Sequence, residues 1–256
     1  MRQDQRAPFV EALGRARAAA YPLGGYVGQE SFMRAGQIRR LAQRAGIGPG
    51  VSVLDLCCGI AGPGRLITAE WGCRYLGVDY SQSALDIAQD LAGELPCRFV
   101  CTTVPPLPDE RFDVVLLLET MLAFPDKRGL LDQVHRALVP GGRFAFTVEE
   151  GHPLTADEQA RMPDADTVWL VELTQLTAAL EQTGLAVMWQ QECSASHLAT
   201  ATALLREFRA DSAAISRQIG TQALADLISA HELWCDWLGS GRVRKFEFVA
   251  ERRSVA

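Results

Sequence analysis

Residues 53–64, VLDLCCGIAGPG, are a short apolar segment followed by a glycine-rich turn. A segment that suits a helix begins near Arg65. Glycine has no Cβ and adopts positive φ readily, so a ligand can approach the backbone of such a turn closely. A helix that begins after the turn presents unpaired N–H groups to the polar groups of a ligand. The stretch therefore predicts a strand, a ligand-binding turn and a helix, which is the first unit of an α/β fold.

Two acidic residues narrow the ligand. Asp55 lies inside the predicted strand, and Asp79 ends the next apolar strand at Gly77-Val78-Asp79. A carboxylate beside the turn repels pyrophosphate but attracts an ammonium or sulfonium group, and an acidic residue after the second strand binds ribose hydroxyls. The pair predicts S-adenosylmethionine (SAM). Because the turn also approximates a dinucleotide fingerprint, an NAD-dependent oxidoreductase stays as an alternative.

Composition limits the class of protein. The chain has 256 residues, 48% of them hydrophobic, and a net charge of −6, which suits one α/β domain with a cap. The acidic balance and the lack of a basic run argue against nucleic acid as partner. We expect no membrane partner, because no apolar run is long enough for a span. Seven cysteines without metal-ligand spacing or an export signal predict a cytoplasmic protein with reduced thiols and no metal.

Apolar segments alternate with amphipathic ones along the middle of the chain. This alternation predicts a doubly wound, mostly parallel sheet. The predicted strands are 51–56, 74–78, 97–101, 113–118 and 142–148, and the predicted helices are 63–71, 82–93 and 127–138. Helices are also predicted over 7–20, 31–45 and 173–183. A strand at 185–189, a helical stretch at 195–238 and a strand at 243–251 then predict an antiparallel hairpin with the helices folded over the sheet.

Four motifs resemble those of the class I SAM-dependent methyltransferases, in particular the small-molecule enzymes. They are Val53-Leu54-Asp55-Leu56-Cys57-Cys58-Gly59, Gly77-Val78-Asp79, Arg111-Phe112-Asp113-Val114-Val115 and Leu138-Val139-Pro140-Gly141-Gly142-Arg143. The resemblance implies a Rossmann-like sheet of seven strands, six parallel and the last antiparallel, with SAM as cofactor and S-adenosylhomocysteine as product. It divides the chain into an N-terminal helical lid (1–48), a SAM-binding core (49–194), a helical cap over the acceptor pocket (195–240) and the last strand of the core (241–256).

The same resemblance implies a set of cofactor contacts. Asp55 and Gly59 are expected at the methionine end, Asp79 at the ribose hydroxyls and Tyr80 beside the adenine. Where the family commonly has an adenine-binding Asp after the third strand, this chain has only uncharged residues to replace it. The remaining expected contacts are Thr102, Thr103 and Val104 at the adenine, Leu118 and Glu119 near the sulfonium, Cys57 in the turn, and Tyr26, Phe32 and Met33 in the lid.

The acceptor side departs from the family pattern. Some relatives carry a His-His pair after the fourth strand, where this chain has Leu122 and Ala123. The predicted proton acceptors are therefore Glu149 and Glu150, at the carboxyl end of a central strand, and His231 on an inward helix stripe. Aromatic residues are candidates for the pocket: Trp169, Phe208, Trp234 and Trp237. His152, next to the two glutamates, is a further candidate proton acceptor, although a loop histidine more often faces solvent, and His135 is expected at the surface.

These features predict a methyltransferase that modifies nitrogen, carbon or oxygen of a small, apolar or aromatic molecule, acting as monomer or homodimer. The family resemblance implies a role in natural-product biosynthesis. The two adjacent glutamates favour a cationic or amine-bearing acceptor. Because the familiar acid–base residues are replaced, a protein of the same fold that catalyses a different reaction, such as a cyclisation, stays as a second alternative.

Overall fold

A computed structural model describes residues 12–253. Its centre is a seven-stranded sheet with the strand order β3-β2-β1-β4-β5-β7-β6. The strands are β1 Ser52–Leu56, β2 Arg74–Asp79, β3 Cys97–Cys101, β4 Phe112–Leu117, β5 Leu138–Glu150, β6 Leu185–Glu192 and β7 Arg244–Arg252. β7 runs antiparallel to both of its neighbours, β5 and β6, and the other neighbouring pairs are parallel. The predicted sheet, with six parallel strands and the last one antiparallel, is confirmed.

Ten α-helices of the described chain surround the sheet or extend from it. They are α1 Ala12–Ala20, α2 Ala35–Arg44, α3 Gly62–Trp71, α4 Gln82–Ala92, α5 Lys127–Ala137, α6 Ala156–Arg161, α7 Leu173–Gln182, α8 Ser194–Ala210, α9 Ser212–Ile219 and α10 Thr221–Ser240. Within residues 12–253, no helix combines the length and the apolar character that crossing a membrane requires.

Both faces of the sheet are buried, as expected for parallel strands joined by helices. Side chains of α5 and α7, such as Leu131 and Leu180, pack on one face with Leu54 and Phe146. On the other face α2, α3 and α4 pack against residues such as Val53, Val114 and Val249. This double covering leaves the carboxyl ends of the parallel strands as the place where ligands bind in such sheets.

The cap is a separate apolar layer. Leu13 and Ala16 of α1 pack with Leu204 and Phe208 of α8 and with residues of α9 and α10. α2, which lies in the same predicted lid, packs instead on the sheet. The N-terminal segment is thus divided between the cap and the core.

The predicted elements agree with the structure except at their limits. β5 begins at Leu138, four residues before the predicted start, because the Pro-Gly-Gly segment is extended and joins the strand through a register shift. The helix predicted over 31–45 begins only at Ala35, after an extended Arg34. The predicted helical stretch 195–238 is interrupted near Asp211 and at Gly220, which has a positive φ of 93°. The part of the first predicted helix before Ala12 lies outside the described residues.

Candidate active site

A cavity of about 340 Å³ lies over the glycine-rich turn that follows β1. We call it the glycine-turn cavity. Cys57 and Gly59 both have positive φ, 57° and 54°, and a Cβ at Gly59 would meet no atom within 4 Å. The lining of the glycine-turn cavity includes many of the residues predicted to bind the cofactor: Met33, Asp55, Cys57, Gly59, Asp79, Tyr80, Leu118 and Glu119.

Asp79 anchors this turn. Its Oδ2 accepts a hydrogen bond from the Gly59 N–H and its Oδ1 accepts one from the Ser81 N–H, both at 2.9 Å. An ionised carboxylate has about four lone-pair positions, so each oxygen keeps capacity for a hydroxyl donor. The side chain is buried yet lines the cavity, which suits a residue that holds the turn and a ribose together.

Asp55 is buried more deeply. Its Oδ2 accepts a hydrogen bond of 2.6 Å from the Tyr75 hydroxyl. Burial raises the pKa of Asp55 to about 7, a rise that the Tyr75 hydrogen bond opposes and the charge of Asp79 increases. A ligand that carries positive charge would favour the ionised form. The cost of keeping this carboxylate charged without a counter-ion thus fits a cationic ligand in the cavity.

A short segment, residues 25–33, closes the cavity, and we call it the cover segment. The buried Gln29 side chain fixes its shape: Oε1 accepts from the Val27 N–H, and Nε2 donates to the carbonyls of Gly25 and Met33. The segment lies close to the turn because Gly62 has no Cβ, which would collide with the backbone of Val27.

A second cavity, of about 370 Å³, lies between the carboxyl ends of β4 and β5 and the cap helices. We call it the aromatic cavity. Phe32, Phe208, Trp234 and His231 form much of its wall; the His231 ring centroid is 5.7 Å from that of Phe32 and 5.0 Å from that of Phe208. The two cavities share four lining residues: Gln29, Glu30, Ser31 and Glu119. The two cavities are therefore neighbours, with these four residues at their common boundary.

A buried charge cluster forms the inner end of the aromatic cavity. The Lys245 ammonium pairs with Glu149 and, at 2.9 Å, with Glu119. The pairing follows from the sheet register, because Glu149 on β5 lies opposite Lys245 on β7. Burial is the largest single influence on the pKa of Glu119 and raises it, but attraction to Lys245 and His197 together with hydrogen bonding by Lys245 and Thr147 brings the pKa below its usual value. Burial raises the pKa of Glu149 against the same attraction.

His197 on α8 completes this cluster. Its Nε2 lies 3.3 Å from Gln37 Nε2, whose amide oxygen already accepts from the Arg34 N–H. The same amide nitrogen lies closer to Glu247 Oε1 and Ser196 Oγ, and His197 Nδ1, 3.6 Å from Glu119 Oε2, has no hydrogen-bond partner in the described residues. Burial lowers the pKa of His197 to about 4. The ring is therefore neutral at pH 7, with Nδ1 facing Glu119.

In His231 the ring nitrogen that stays available is Nε2, because Nδ1 is already hydrogen-bonded. Its Nδ1 donates to the Leu227 carbonyl at 2.8 Å, and burial lowers the pKa of the ring. The Nε2 atom of this neutral tautomer is left as an acceptor. His231 is thus a second group in the aromatic cavity that is able to take a proton.

Other predicted site residues lie elsewhere. Thr102, Thr103 and Val104 line neither of the two cavities. The Thr102 N–H donates to the Asp79 carbonyl. Tyr26 packs on Tyr21 at 5.3 Å between ring centroids. Glu150 pairs with Arg244 at 2.9 Å and is outside the lining of both cavities.

The aromatic candidates and the remaining histidines are also divided. Trp237 is buried in an apolar cluster beneath the cavity and Trp169 is 47% exposed. His152 pairs with Glu172 at an exposed position, and His135 lies in the last turn of α5 beside Gly184. Phe208 and Trp234 alone of the four aromatic candidates line the aromatic cavity.

Sequence reasoning missed Lys245, His197 and Gln29. One signal for Lys245 was present: in Arg244-Lys245-Phe246-Glu247-Phe248 charged and aromatic residues alternate with the period of a strand, and both Lys245 and Glu247 are almost fully buried. Since buried charges are normally paired, this strand predicts partners on the neighbouring strands. Comparable signals for His197 or Gln29 do not appear in their local sequence.

The sheet, the glycine turn and the paired cavities define a doubly wound enzyme fold with a nucleotide site. Residues 54–146 match the family model described as a methyltransferase domain. The sterol 24-C-methyltransferase of Eremothecium gossypii is 31% identical over 131 residues, 48% of this chain and 35% of that protein. The chain thus spans about a third of the length of this curated relative.

Two solved structures share the fold over almost the whole chain. Phosphoethanolamine N-methyltransferase 2 of Haemonchus contortus, solved with SAM, gives a TM-score of 0.79 at 19% identity and covers 98% of this chain and 59% of that one. The [4+2]-cyclase SpnF gives a TM-score of 0.75 at 19% identity and covers 98% and 94%. Residues 54–146 thus match a methyltransferase domain, and the chain shares its fold with solved structures that include a methyltransferase.

Proposed function

We propose that the protein transfers the methyl group of SAM to a small organic molecule bound in the aromatic cavity. The observation that carries this proposal is the contact between the two cavities, which share Glu119 and three residues of the cover segment. Each cavity has a volume within the range of small-ligand pockets. A methyl donor over the glycine turn and an acceptor under the cap would meet at this junction.

The residues of the glycine-turn cavity fit SAM. Asp55 would attract its ammonium group, the glycine turn, which a ligand can approach closely at Gly59, would face its carboxylate, and Asp79 would accept from the ribose hydroxyls. Tyr80 is 77% exposed at the rim, where its ring is available to the adenine. When bound, SAM supplies an electrophilic methyl carbon on a positively charged sulfur. Thr102, Thr103, Val104 and Tyr26 stay predictions for this site.

The chain contributes position and exclusion of water more than covalent chemistry. Methyl transfer needs the nucleophile in line with the methyl carbon at close range, and the cover segment holds both cavities closed at their junction. Its Phe32 N–H donates to Glu119 Oε2 at 3.3 Å. Glu149 and His231 are the proposed proton acceptors where the nucleophile must lose a proton; Glu150, paired with Arg244, stays a prediction.

Calorimetry with SAM, S-adenosylhomocysteine and NAD tests the cofactor directly. We expect micromolar or tighter binding of SAM and its product and no binding of NAD. Release of S-adenosylhomocysteine in the presence of candidate acceptors tests the transfer. Tight NAD binding without SAM binding would overturn the proposal, and conversion of an acceptor with SAM left intact would indicate a reaction such as cyclisation.

The pKa of Asp55 leads to a prediction for cofactor binding. We expect the affinity for S-adenosylhomocysteine to fall about tenfold between pH 8 and pH 6, since protonation of a carboxylate with a pKa of about 7 removes its attraction for the ligand's ammonium group. The ligand's amino group is more fully protonated at pH 6, so it cannot cause this loss. Calorimetry across this range measures the effect.

Asp55→Asn is the control for this prediction. Its affinity should be lower at pH 8 and should lack the decline toward pH 6, because the amide does not titrate. If wild type and Asp55→Asn give parallel profiles, the ammonium group of the ligand is not bound by Asp55.

We also propose that the protein works in a reducing compartment such as the cytoplasm, as a monomer or homodimer, on a molecule of natural-product biosynthesis. All seven cysteines are unpaired, which fits reduced thiols. Light scattering on the purified protein distinguishes the two oligomeric states.

A further inference from the structure

The lining of the aromatic cavity has more carboxylates than cations. Its charged residues are Glu30, Glu119, Glu149, Asp164, Arg17 and Lys245. Arg17 is already paired with Glu30 at 2.6 Å, and Lys245 alone faces both Glu119 and Glu149. The two histidines of the lining add no charge, because burial lowers the pKa of both. When Glu119 and Glu149 are both ionised, the inner end of the cavity therefore carries two carboxylates against the one ammonium group that lines it.

Two carboxylate oxygens of this cluster, Glu119 Oε1 and Glu149 Oε2, are buried without a hydrogen-bond partner in the described residues, although Glu119 Oε1 lies 2.9 Å from the Lys245 ammonium in an ion pair. Glu149 is 5% exposed, and its Oε2 is buried without a hydrogen-bond partner in the described part of the chain, while Lys245 contacts Oε1. A buried acceptor left without a donor is costly, and native structures rarely keep one. Since Glu149 lines the cavity, a ligand that brings a donor and positive charge would satisfy this oxygen.

The walls of the cavity also suit a cation. Phe32, Phe208 and Trp234 contribute aromatic rings, and Phe32 meets the Trp234 ring at an angle of 72° with centroids 6.4 Å apart. Aromatic faces attract ammonium groups electrostatically, most strongly where water is excluded. The same rings, with Leu204 and Leu227, bury apolar surface of a ligand body.

We propose that the acceptor is an amine with an apolar or aromatic body, and that its nitrogen, held by Glu149 beside Glu119, is the atom methylated. This inference rests on the proposed methyl transfer. An alcohol would donate to Glu149 but leave the surplus charge unbalanced, and a carboxylate or phosphate acceptor would be repelled. Glu119 lines both cavities, and Lys245 joins it to Glu149, so a nitrogen bound at Glu149 lies next to the residue that the two cavities share.

Glu149 is the proton acceptor in the proposed methylation of the amine. The amine passes a proton to Glu149 if it enters as an ammonium, and its nitrogen lone pair then forms the bond to the methyl carbon. The carbon–sulfur bond breaks with its electron pair moving to sulfur, which becomes a neutral thioether. The methylated nitrogen acquires the positive charge that the sulfur has lost. Product release returns the proton of Glu149 to solvent.

Matched ligand series test the inference. We would titrate the protein saturated with S-adenosylhomocysteine with phenethyl, indolylethyl and dodecyl compounds that end in an amine, a hydroxyl or a carboxylate. Among compounds that share the same phenethyl, indolylethyl or dodecyl group, wherever that group is bound, the amine is expected to bind at least tenfold more tightly than the alcohol. The carboxylate is expected to bind most weakly. With SAM in place of its product, only the amines should yield a methylated compound.

Two variants assign the preference to the residues named. Glu149→Gln should reduce amine affinity at least tenfold, leave alcohol affinity within about threefold and lower the rate of amine methylation. Trp234→Leu should also weaken the amine more than the alcohol, and it keeps the test available if Glu149→Gln fails to fold. Glu94→Gln, at an exposed position, is the control and should change none of these values.

Equal or tighter binding of the alcohols would overturn the inference, and so would failure of every amine to bind while S-adenosylhomocysteine binds. The inference would also be contradicted if both variants kept the preference for the amine. Failure of S-adenosylhomocysteine itself to bind would instead refute the proposed function.

Discussion

Replacing Asp79 by alanine is expected to weaken the binding of S-adenosylhomocysteine about 100-fold or more. Two hydroxyl groups of the ribose would lose a charged acceptor, and hydrogen bonds to a charged group are worth about 1.5–3 kcal/mol each. The same change frees the N–H groups of Gly59 and Ser81, which Asp79 now holds, so the turn itself loses its anchor. Calorimetry on wild type and variant measures the loss.

Two further variants make this result specific. Asp79→Asn keeps one oxygen acceptor at the site and should fall between wild type and Asp79→Ala. Asp109→Ala removes an exposed carboxylate outside both cavities and should bind normally. Affinity of Asp79→Ala within threefold of wild type, with an intact circular dichroism spectrum, would show that the ribose lies elsewhere.

The second large effect concerns stability. Lys245→Met is expected to lower the free energy of unfolding by about 3–5 kcal/mol, because removing one member of a buried ion pair leaves an uncompensated buried charge. Here two carboxylates, Glu119 and Glu149, lose the ammonium group between them. Lys245 is 3% exposed, so the two carboxylates would stay in a largely buried site without their cation. Chemical denaturation monitored by circular dichroism measures the change.

Two further variants test whether unpaired charge causes the loss of stability in Lys245→Met. The triple variant Lys245→Met, Glu119→Gln, Glu149→Gln carries no charge in the cluster and should recover much of the lost stability, as neutral replacements of buried pairs often do. Arg39→Met removes an exposed ion pair with Glu70 and should have little effect. If the triple variant is no more stable than Lys245→Met, lost packing rather than unpaired charge causes the effect.

Local sequence was sufficient for the sheet and for one of the two cavities. The turn at Gly59 and the carboxylates of Asp55 and Asp79 lie close together in the chain, on consecutive strands, so their meeting follows from the βαβ connection alone. The expected adenine contact of Thr102, Thr103 and Val104 had less support, because the loop after a strand has no periodic pattern to fix its direction. In the structure these residues are outside the cavity lining.

The acceptor side depends on long-range contacts that local patterns do not contain. Lys245 reaches Glu149 because β7 inserts between β5 and β6 in one particular register. Glu149 and Glu150 are equivalent in the sequence, but adjacent strand residues point to opposite faces, and only Glu149 lines the aromatic cavity. His197 meets Glu119 through the packing of α8 against β7. The sequence indicated an aromatic pocket with four candidate members, of which only Phe208 and Trp234 line the cavity.

The interior place of β7 has a consequence for how the protein is made. Of the seven strands it is the last to leave the ribosome, yet it pairs on both sides, with β5 and with β6. Until it arrives, β6 has no neighbour in the sheet and Glu149 has no lysine, whereas β1, β2 and the turn between them are already complete. The residues that line the glycine-turn cavity all precede residue 121, so they leave the ribosome before the cap residues and Lys245, which complete the aromatic cavity.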